Sequence, residues 1–168
     1  MDAIEIRPLR PEDSLVELTG LLHRAYADLL AAGLNFTAAT QDEAKTRERV
    51  EGNECFVALD GGRLAGTVTH LPRWPEDIPP PAGGIRGAYI FQLAVEPALR
   101  RRGLGSRLMD RAEVRARELG YAVVGLDTAE PAAHLLRLYE ARGYRRTGHM
   151  RSPGKAYRSV LFEKDLRG

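Results

Sequence analysis

The spacing of hydrophobic and polar positions changes several times along the chain, and each change marks an element. Ile4 and Ile6 alternate with Glu5 and Arg7 up to Pro8, which predicts a short first strand. Leu15, Leu18, Leu22, Ala25 and Leu29 then recur at helical spacing, with Asp13 or Ser14 placed to cap the start and Gly33 to end it. A second, more polar helix is expected over 40–50, ended by Gly52-Asn53. Segments 55–59 and 63–70 read as strands joined by Asp60-Gly61-Gly62, which suits the positive φ angles of a tight hairpin. Proline and glycine crowd 71–87, so that stretch reads as a long irregular loop of a kind that is often functional. Residues 88–95 are nearly all apolar and fit a buried central strand. A helix over 103–119, a buried strand over 121–126, a helix over 131–142 with Pro131 at its start, and strands around 144–150 and 156–163 complete the pattern. Helices between strands in the middle and strand pairs at either side predict a mixed sheet with helices on its faces, an α/β (α+β) fold.

At 168 residues, without internal repeats, the chain is expected to form a single domain over 1–168. A formal charge of +2 does not point to a nucleic-acid partner, and no helix-turn-helix, zinc or RNP signature accompanies the basic residues. The one cysteine, Cys55, excludes an intramolecular disulfide and lies in an apolar run that suits a buried thiol. The four histidines are scattered, so no metal site is expected. The start, Met1-Asp2-Ala3-Ile4-Glu5, is neither basic nor extensively apolar, and no segment approaches the ~20 apolar residues of a membrane span. A cytoplasmic protein without a membrane partner is the expectation.

The most informative segment runs from Leu93 through Ala94, Val95 and Glu96-Pro97-Ala98-Leu99 to Arg100-Arg101-Arg102-Gly103-Leu104-Gly105-Ser106. It leads from a buried strand into a helix. The first turn of a helix carries unpaired N–H groups at the positive end of the dipole, an arrangement that favours phosphate. Gly103 and Gly105 clear side chains from that turn, and the arginines add attraction. A Walker loop needs a GK[ST] ending that is missing, and a dinucleotide fingerprint needs a third glycine where Leu108 stands. On its own the arginine run could equally be a solvated patch. Further along come Leu138-Tyr139-Glu140-Ala141-Arg142-Gly143-Tyr144 and the closing segment from Tyr157 to Leu166.

Taken in order from Gly61-Gly62-Arg63-Leu64-Ala65-Gly66 onward, these segments resemble the GNAT superfamily of N-acetyltransferases. Arg100 to Gly105 matches its (Arg/Gln)-x-x-Gly-x-(Gly/Ala) pyrophosphate loop, and 138–144 its Leu-Tyr-x-x-x-Gly-(Phe/Tyr) helix end. The resemblance implies a mixed, mostly antiparallel sheet of about six to seven strands with about four helices. It also implies acetyl transfer from acetyl-CoA, as co-substrate, to a primary amine by direct attack in a ternary complex. Backbone groups of Leu93, Ala94 and Val95 would hold the pantetheine arm and activate the thioester. The turn at Arg100, Arg101, Arg102, Gly103, Leu104, Gly105 and Ser106 would hold the pyrophosphate. The acceptor would be a small-molecule or peptide amine, and a homodimer is common among such proteins.

Tyr139 stands where the family places the acid that reprotonates the CoA sulfur; the alternative is an aromatic residue that only packs. Many relatives carry a carboxylate near 91 or 92, whereas this chain has Phe91-Gln92, and an amide cannot accept a proton. Glu96 and His70 are the fallbacks, against which stand a surface charge for Glu96 and structural polarity for His70. An asparagine often found near the start of the Tyr139 helix is replaced by Ala132-Ala133-His134. Phe36, Trp74 and Gln92 are the candidates for acceptor binding, with Trp74 beside Glu76 and Asp77 either framing an amine or anchoring its loop. A non-catalytic acyl-CoA sensor, or a regulator docking through 71–87, is the competing reading.

Overall fold

The computed structural model describes residues 3–168; Met1 and Asp2, which open the segment read above for a leader, lie outside the described residues. The chain runs β1 (Glu5–Pro8), α1 (Leu15–Ala31), α2 (Thr37–Thr40), α3 (Glu43–Val50), β2 (Glu54–Asp60), β3 (Arg63–Leu71), β4 (Gly87–Val95), α4 (Leu104–Glu118), β5 (Val123–Ala129), α5 (Ala133–Ala141), β6 (Arg145–Met150) and β7 (Ser159–Asp165). The strands make one seven-stranded sheet in the order β1-β2-β3-β4-β5-β7-β6. Every neighbouring pair is antiparallel except β4 and β5, which run parallel.

Local chemistry explains the boundaries. The Ser14 side chain accepts from Glu17 N–H at 3.1 Å and caps α1, while Asp13 binds Arg7 at 2.7 Å. The helix expected over 40–50 begins only at Glu43, and a separate single turn, α2, precedes it. Asp42 accepts from Lys45 N–H at 2.8 Å and starts α3 afresh, and Gln41 leaves α2 in an extended conformation. Strands β5 and β7 run past the expected ends because they pair over their whole length, from Val123 opposite Asp165 to Ala129 opposite Ser159.

The loop at 72–86 is pinned rather than free. Ile78 is buried with Leu71, Tyr89 and Leu161. The Trp74 ring lies where a Cβ on Gly87 or Gly125 would stand, 2.5 and 2.3 Å away, so those two glycines make its seat. The main core lies on the α4/α5 face of the sheet, built from Phe56, Val68, Ile90, Leu108, Met109, Leu126, Tyr139 and Phe162 among others. α1 covers the opposite face through Leu18, Leu21 and Leu22. Among the described residues no helix is long and apolar enough to cross a membrane.

Candidate active site

Strands β4 and β5 pair only at Gly87–Val123, Ala88–Val124 and Tyr89–Gly125, and then part. Past that point a cleft of about 1460 Å³ opens between them, bordered by α1, the start of α4, α5 and the segment before β7. A bulge in β4 shapes its edge. Thr67 lies opposite Ala94 and Thr69 opposite Phe91, so Gln92 and Leu93 together face Val68. Gln92 takes φ 56° to make this turn, a conformation costing a non-glycine residue about 1–2 kcal/mol.

Beyond the bulge, Glu96 N–H donates to Ala65 O at 2.8 Å. Alternation along the strand therefore turns the backbone groups of Ala94 toward β3 and those of Leu93 and Val95 toward the cleft. Ala94 differs here from the expectation that it offers free groups; its methyl packs with Leu22, Ala25 and Ala38. The Leu93 carbonyl already accepts from the Tyr26 hydroxyl at 2.8 Å, which leaves its N–H facing the cleft.

At one end of the cleft, Gly103 adopts φ 77° and admits the chain to α4. The first helical bond is Arg107 N–H to Gly103 O at 3.1 Å, so the N–H groups of Leu104, Gly105 and Ser106 have no backbone partner. Gly105 lies against Val95, whose Cγ2 would be 3.6 Å from a Cβ there. Arg101 and Arg102 are exposed, whereas Arg100 is drawn back to Ala25 O at 2.5 Å and Asp28 at 3.5 Å. The Ser106 hydroxyl is fixed by Arg142 Nη1 at 2.7 Å, and Arg142 also pairs with Glu113 at 2.7 Å. This cradle of unpaired N–H groups without side chains in front of them fits a pyrophosphate.

Tyr139 reaches the cleft from α5. Its ring packs 6.0 Å from both Tyr144 and Phe162, and its hydroxyl has no protein partner among the described residues. Burial raises its pKa well above the ordinary value, so it is a neutral donor at working pH.

The other half of the cleft holds a constellation that the sequence did not reveal. Asp127 of β5 opens to the cleft and accepts from the Tyr89 hydroxyl at 2.6 Å. Partial burial raises the Asp127 carboxyl, the Tyr89 bond counteracts, Asp77 adds to the rise, and Arg49 and Lys155 oppose it. Arg49 lies 4.8 Å above the Phe91 ring and donates to Gln41 Oε1 at 2.8 Å. Lys155 donates to Asn35 O at 2.9 Å and Thr37 Oγ1 at 2.8 Å. Neither cation has a carboxylate in ion-pair contact among the described residues. Phe36 lines the same space between Tyr26, at 5.4 Å, and Tyr157, at 5.2 Å.

Other candidates are placed differently. The Gln92 amide is 5% exposed and held inside the protein, accepting from Gln41 Nε2 at 2.8 Å and donating to Thr69 Oγ1 at 3.2 Å. Trp74 does not border the cleft; it donates to Pro79 O at 3.0 Å and stands edge-on to Tyr89 at 5.2 Å, the loop-anchoring role. Glu96 is held by Arg24 at 2.8 Å. His70 is fully buried, with Glu54 at 3.1 Å, and is not part of the cleft. His134 is exposed at the start of α5, on the cleft rim. Cys55 is buried and free, and no metal-binding cluster occurs among the described residues.

Residues 21–144 match the family model described as Acetyltransferase (GNAT) family. The chain belongs to the GNAT family. It is 31% identical over 160 residues to the S-(2-succino)cysteine N-acetyltransferase of Bacillus subtilis (strain 168), covering 94% of this chain and 92% of that one. In fold it is similar to the ribosomal-protein-S18-alanine N-acetyltransferase of Escherichia coli, with a TM-score of 0.74 at 19% identity over 99% of this chain and 96% of that one. It is similar also to a GNAT family acetyltransferase of Elizabethkingia anophelis with acetyl-CoA bound, with a TM-score of 0.65 at 16% identity over 98% and 99%. This GNAT chain is thus an acetyl-CoA-dependent N-acetyltransferase whose acceptors are amines, rather than a non-catalytic sensor.

Proposed function

We propose that the acceptor is a small amino acid-like amine bearing additional carboxylates, of the S-(2-succino)cysteine class, and that this chain acetylates its amino group. The observation that carries the reading is the pair of cations, Arg49 and Lys155, facing the acceptor half of the cleft without carboxylate partners among the described residues. A half-buried guanidinium with donors to spare forms forked bonds to a carboxylate, and a nearby ammonium holds a second one. The likeness to an enzyme named for an acceptor with three carboxylates supports the same choice. A lone buried thiol suits a reducing, cytoplasmic setting.

Acetyl-CoA supplies an acyl group activated as a thioester. The N–H groups of Leu104, Gly105 and Ser106 hold its pyrophosphate, with Arg101 and Arg102 adding attraction from solvent. The N–H of Leu93 polarises the acyl oxygen, and the backbone of Val95 aligns the pantetheine arm. The Tyr139 hydroxyl gives its proton to the departing sulfur.

The test is kcat/KM across a panel of S-(2-succino)cysteine, an uncharged alkylamine and a polyamine, for wild type and Arg49→Ala. A hydrogen bond to a charged group contributes about 1.5–3 kcal/mol, so the variant should raise KM for the polycarboxylate roughly 10- to 150-fold. KM for acetyl-CoA should not move. A preference for the polyamine, or an unchanged KM in the variant, contradicts the acceptor class.

A further inference from the structure

The structure assigns Asp127 as the group that takes the proton from the acceptor's ammonium, with Tyr89 positioning its carboxylate. This rests on amine acetylation in this cleft but not on the acceptor's carboxylates.

The family's usual position for an acidic residue is filled by Phe91-Gln92, and the Gln92 amide is bonded away. Both fallbacks are out of play: Glu96 lies against Arg24, and His70 is fully buried outside the cleft. Asp127 is the carboxylate on the parted strands themselves. Its ladder partner is Leu161 on β7, and it lies two residues beyond Gly125, the last point where β4 and β5 pair. It therefore stands just inside the opening that exposes Leu93 and receives Tyr139. Leu126 packs into the α4/α5 core, so the period of two turns Asp127 to the opposite face, together with Gly125. Trp74 occupies the space over Gly125 and steadies Tyr89 edge-on, and the Tyr89 hydroxyl fixes one carboxylate oxygen at 2.6 Å. The other oxygen has no protein partner among the described residues. Seven groups set the charge around it: Tyr89 from β4, Asp77 from the 72–86 loop, Arg49 from α3, Lys155 and Tyr157 from the segment before β7, Tyr26 from α1 and Tyr139 from α5. Although Asp127 is open to the cleft, desolvation by the surrounding walls shifts its carboxyl upward, which strengthens it as a base.

In the step, an N–H bond of the ammonium breaks and an O–H bond forms on Asp127. The freed nitrogen lone pair forms the N–C bond to the acyl carbon as the C–S bond breaks. Of the two protons that leave nitrogen, one ends on the CoA sulfur, delivered through Tyr139, and one passes from Asp127 to solvent.

The decisive experiment is the pH dependence of kcat/KM for wild type, Asp127→Asn and Tyr89→Phe, using S-(2-succino)cysteine and then the panel amine that turns over fastest. Asp127→Asn should lose on the order of 10²-fold at neutral pH, and the deficit should close as pH approaches the amine's own pKa and free amine accumulates. Its acetyl-CoA thermal shift should match wild type, which separates a lost base from a lost fold. Tyr89→Phe removes a bond that favours the ionised carboxylate, so its acidic limb should move to higher pH. A deficit of equal size at every pH, or an unmoved limb in Tyr89→Phe, overturns the assignment. If wild type acetylates no amine, it is amine acetylation itself that fails, and the two failures are told apart.

Discussion

Replacing Tyr139 with Phe removes one oxygen and leaves the rest of the site intact, so its consequences can be worked out. The ring keeps its contacts with Tyr144 and Phe162, both 6.0 Å away. The hydroxyl bonds to no protein group among the described residues, so no partner is orphaned and stability should stay within about 0.5 kcal/mol of wild type. The catalytic cost follows from the leaving group. Proton transfer by a placed acid contributes typically about 10²–10⁴-fold, but a thiol with a pKa near ~8.5 departs tolerably without help. A loss of roughly 10- to 100-fold in kcat is expected, with KM for acetyl-CoA unchanged. The assay is release of the CoA thiol under saturating co-substrate, read beside a urea midpoint to show that the fold is intact. A variant with wild-type kcat would mean that Tyr139 only fills space.

Two further outcomes follow from groups away from the reacting atoms. Glu113 is nearly fully buried and holds both Arg142, at 2.7 Å, and Lys164, at 2.5 Å; Glu113→Gln leaves Lys164 without a carboxylate and Arg142 with Asp110 alone, and should cost up to about 3–5 kcal/mol, read as a lower urea midpoint. Because Arg142 also fixes Ser106, the same variant should weaken acetyl-CoA binding. Burial lowers the pKa of His70 in the folded chain below the ordinary 6.5, with Glu54 opposing. The unfolded chain then binds the proton first, so stability is kept above that value and lost as pH falls through the folded one. His70→Asn should flatten the fall of the melting temperature over that acid range; an unchanged slope would remove His70 as its cause.

The elements and their order were legible because each apolar face repeats with its own period. The turn into α4 was legible because Gly103 and Gly105 follow an arginine run where a strand gives way to a helix; Gly103 serves the left-handed turn, φ 77°, and Gly105 lies against Val95. Of the acceptor half only Phe36 was. Arg49, Tyr89, Asp127 and Lys155 come from α3, β4, β5 and the segment before β7, and none has a local pattern to announce it. Asp127 also lies past the apolar run that predicts a strand end at Leu126; pairing with β7 carries the strand on to Ala129. The bulge at Gln92 escaped for a similar reason, since a positive φ at a non-glycine residue is imposed by the sheet and not by its own side chain. Trp74 could be read two ways until Gly87 and Gly125 were seen to form its seat.

Free CoA thiol and N-acetylated product, quantified together after wild type is mixed with acetyl-CoA and S-(2-succino)cysteine, provide the deciding measurement. The cleft requires the two to appear in equal amounts, and release to cease when Gly105→Phe fills the pyrophosphate cradle. Release that proceeds without an amine product, or that survives the filled cradle, would contradict it.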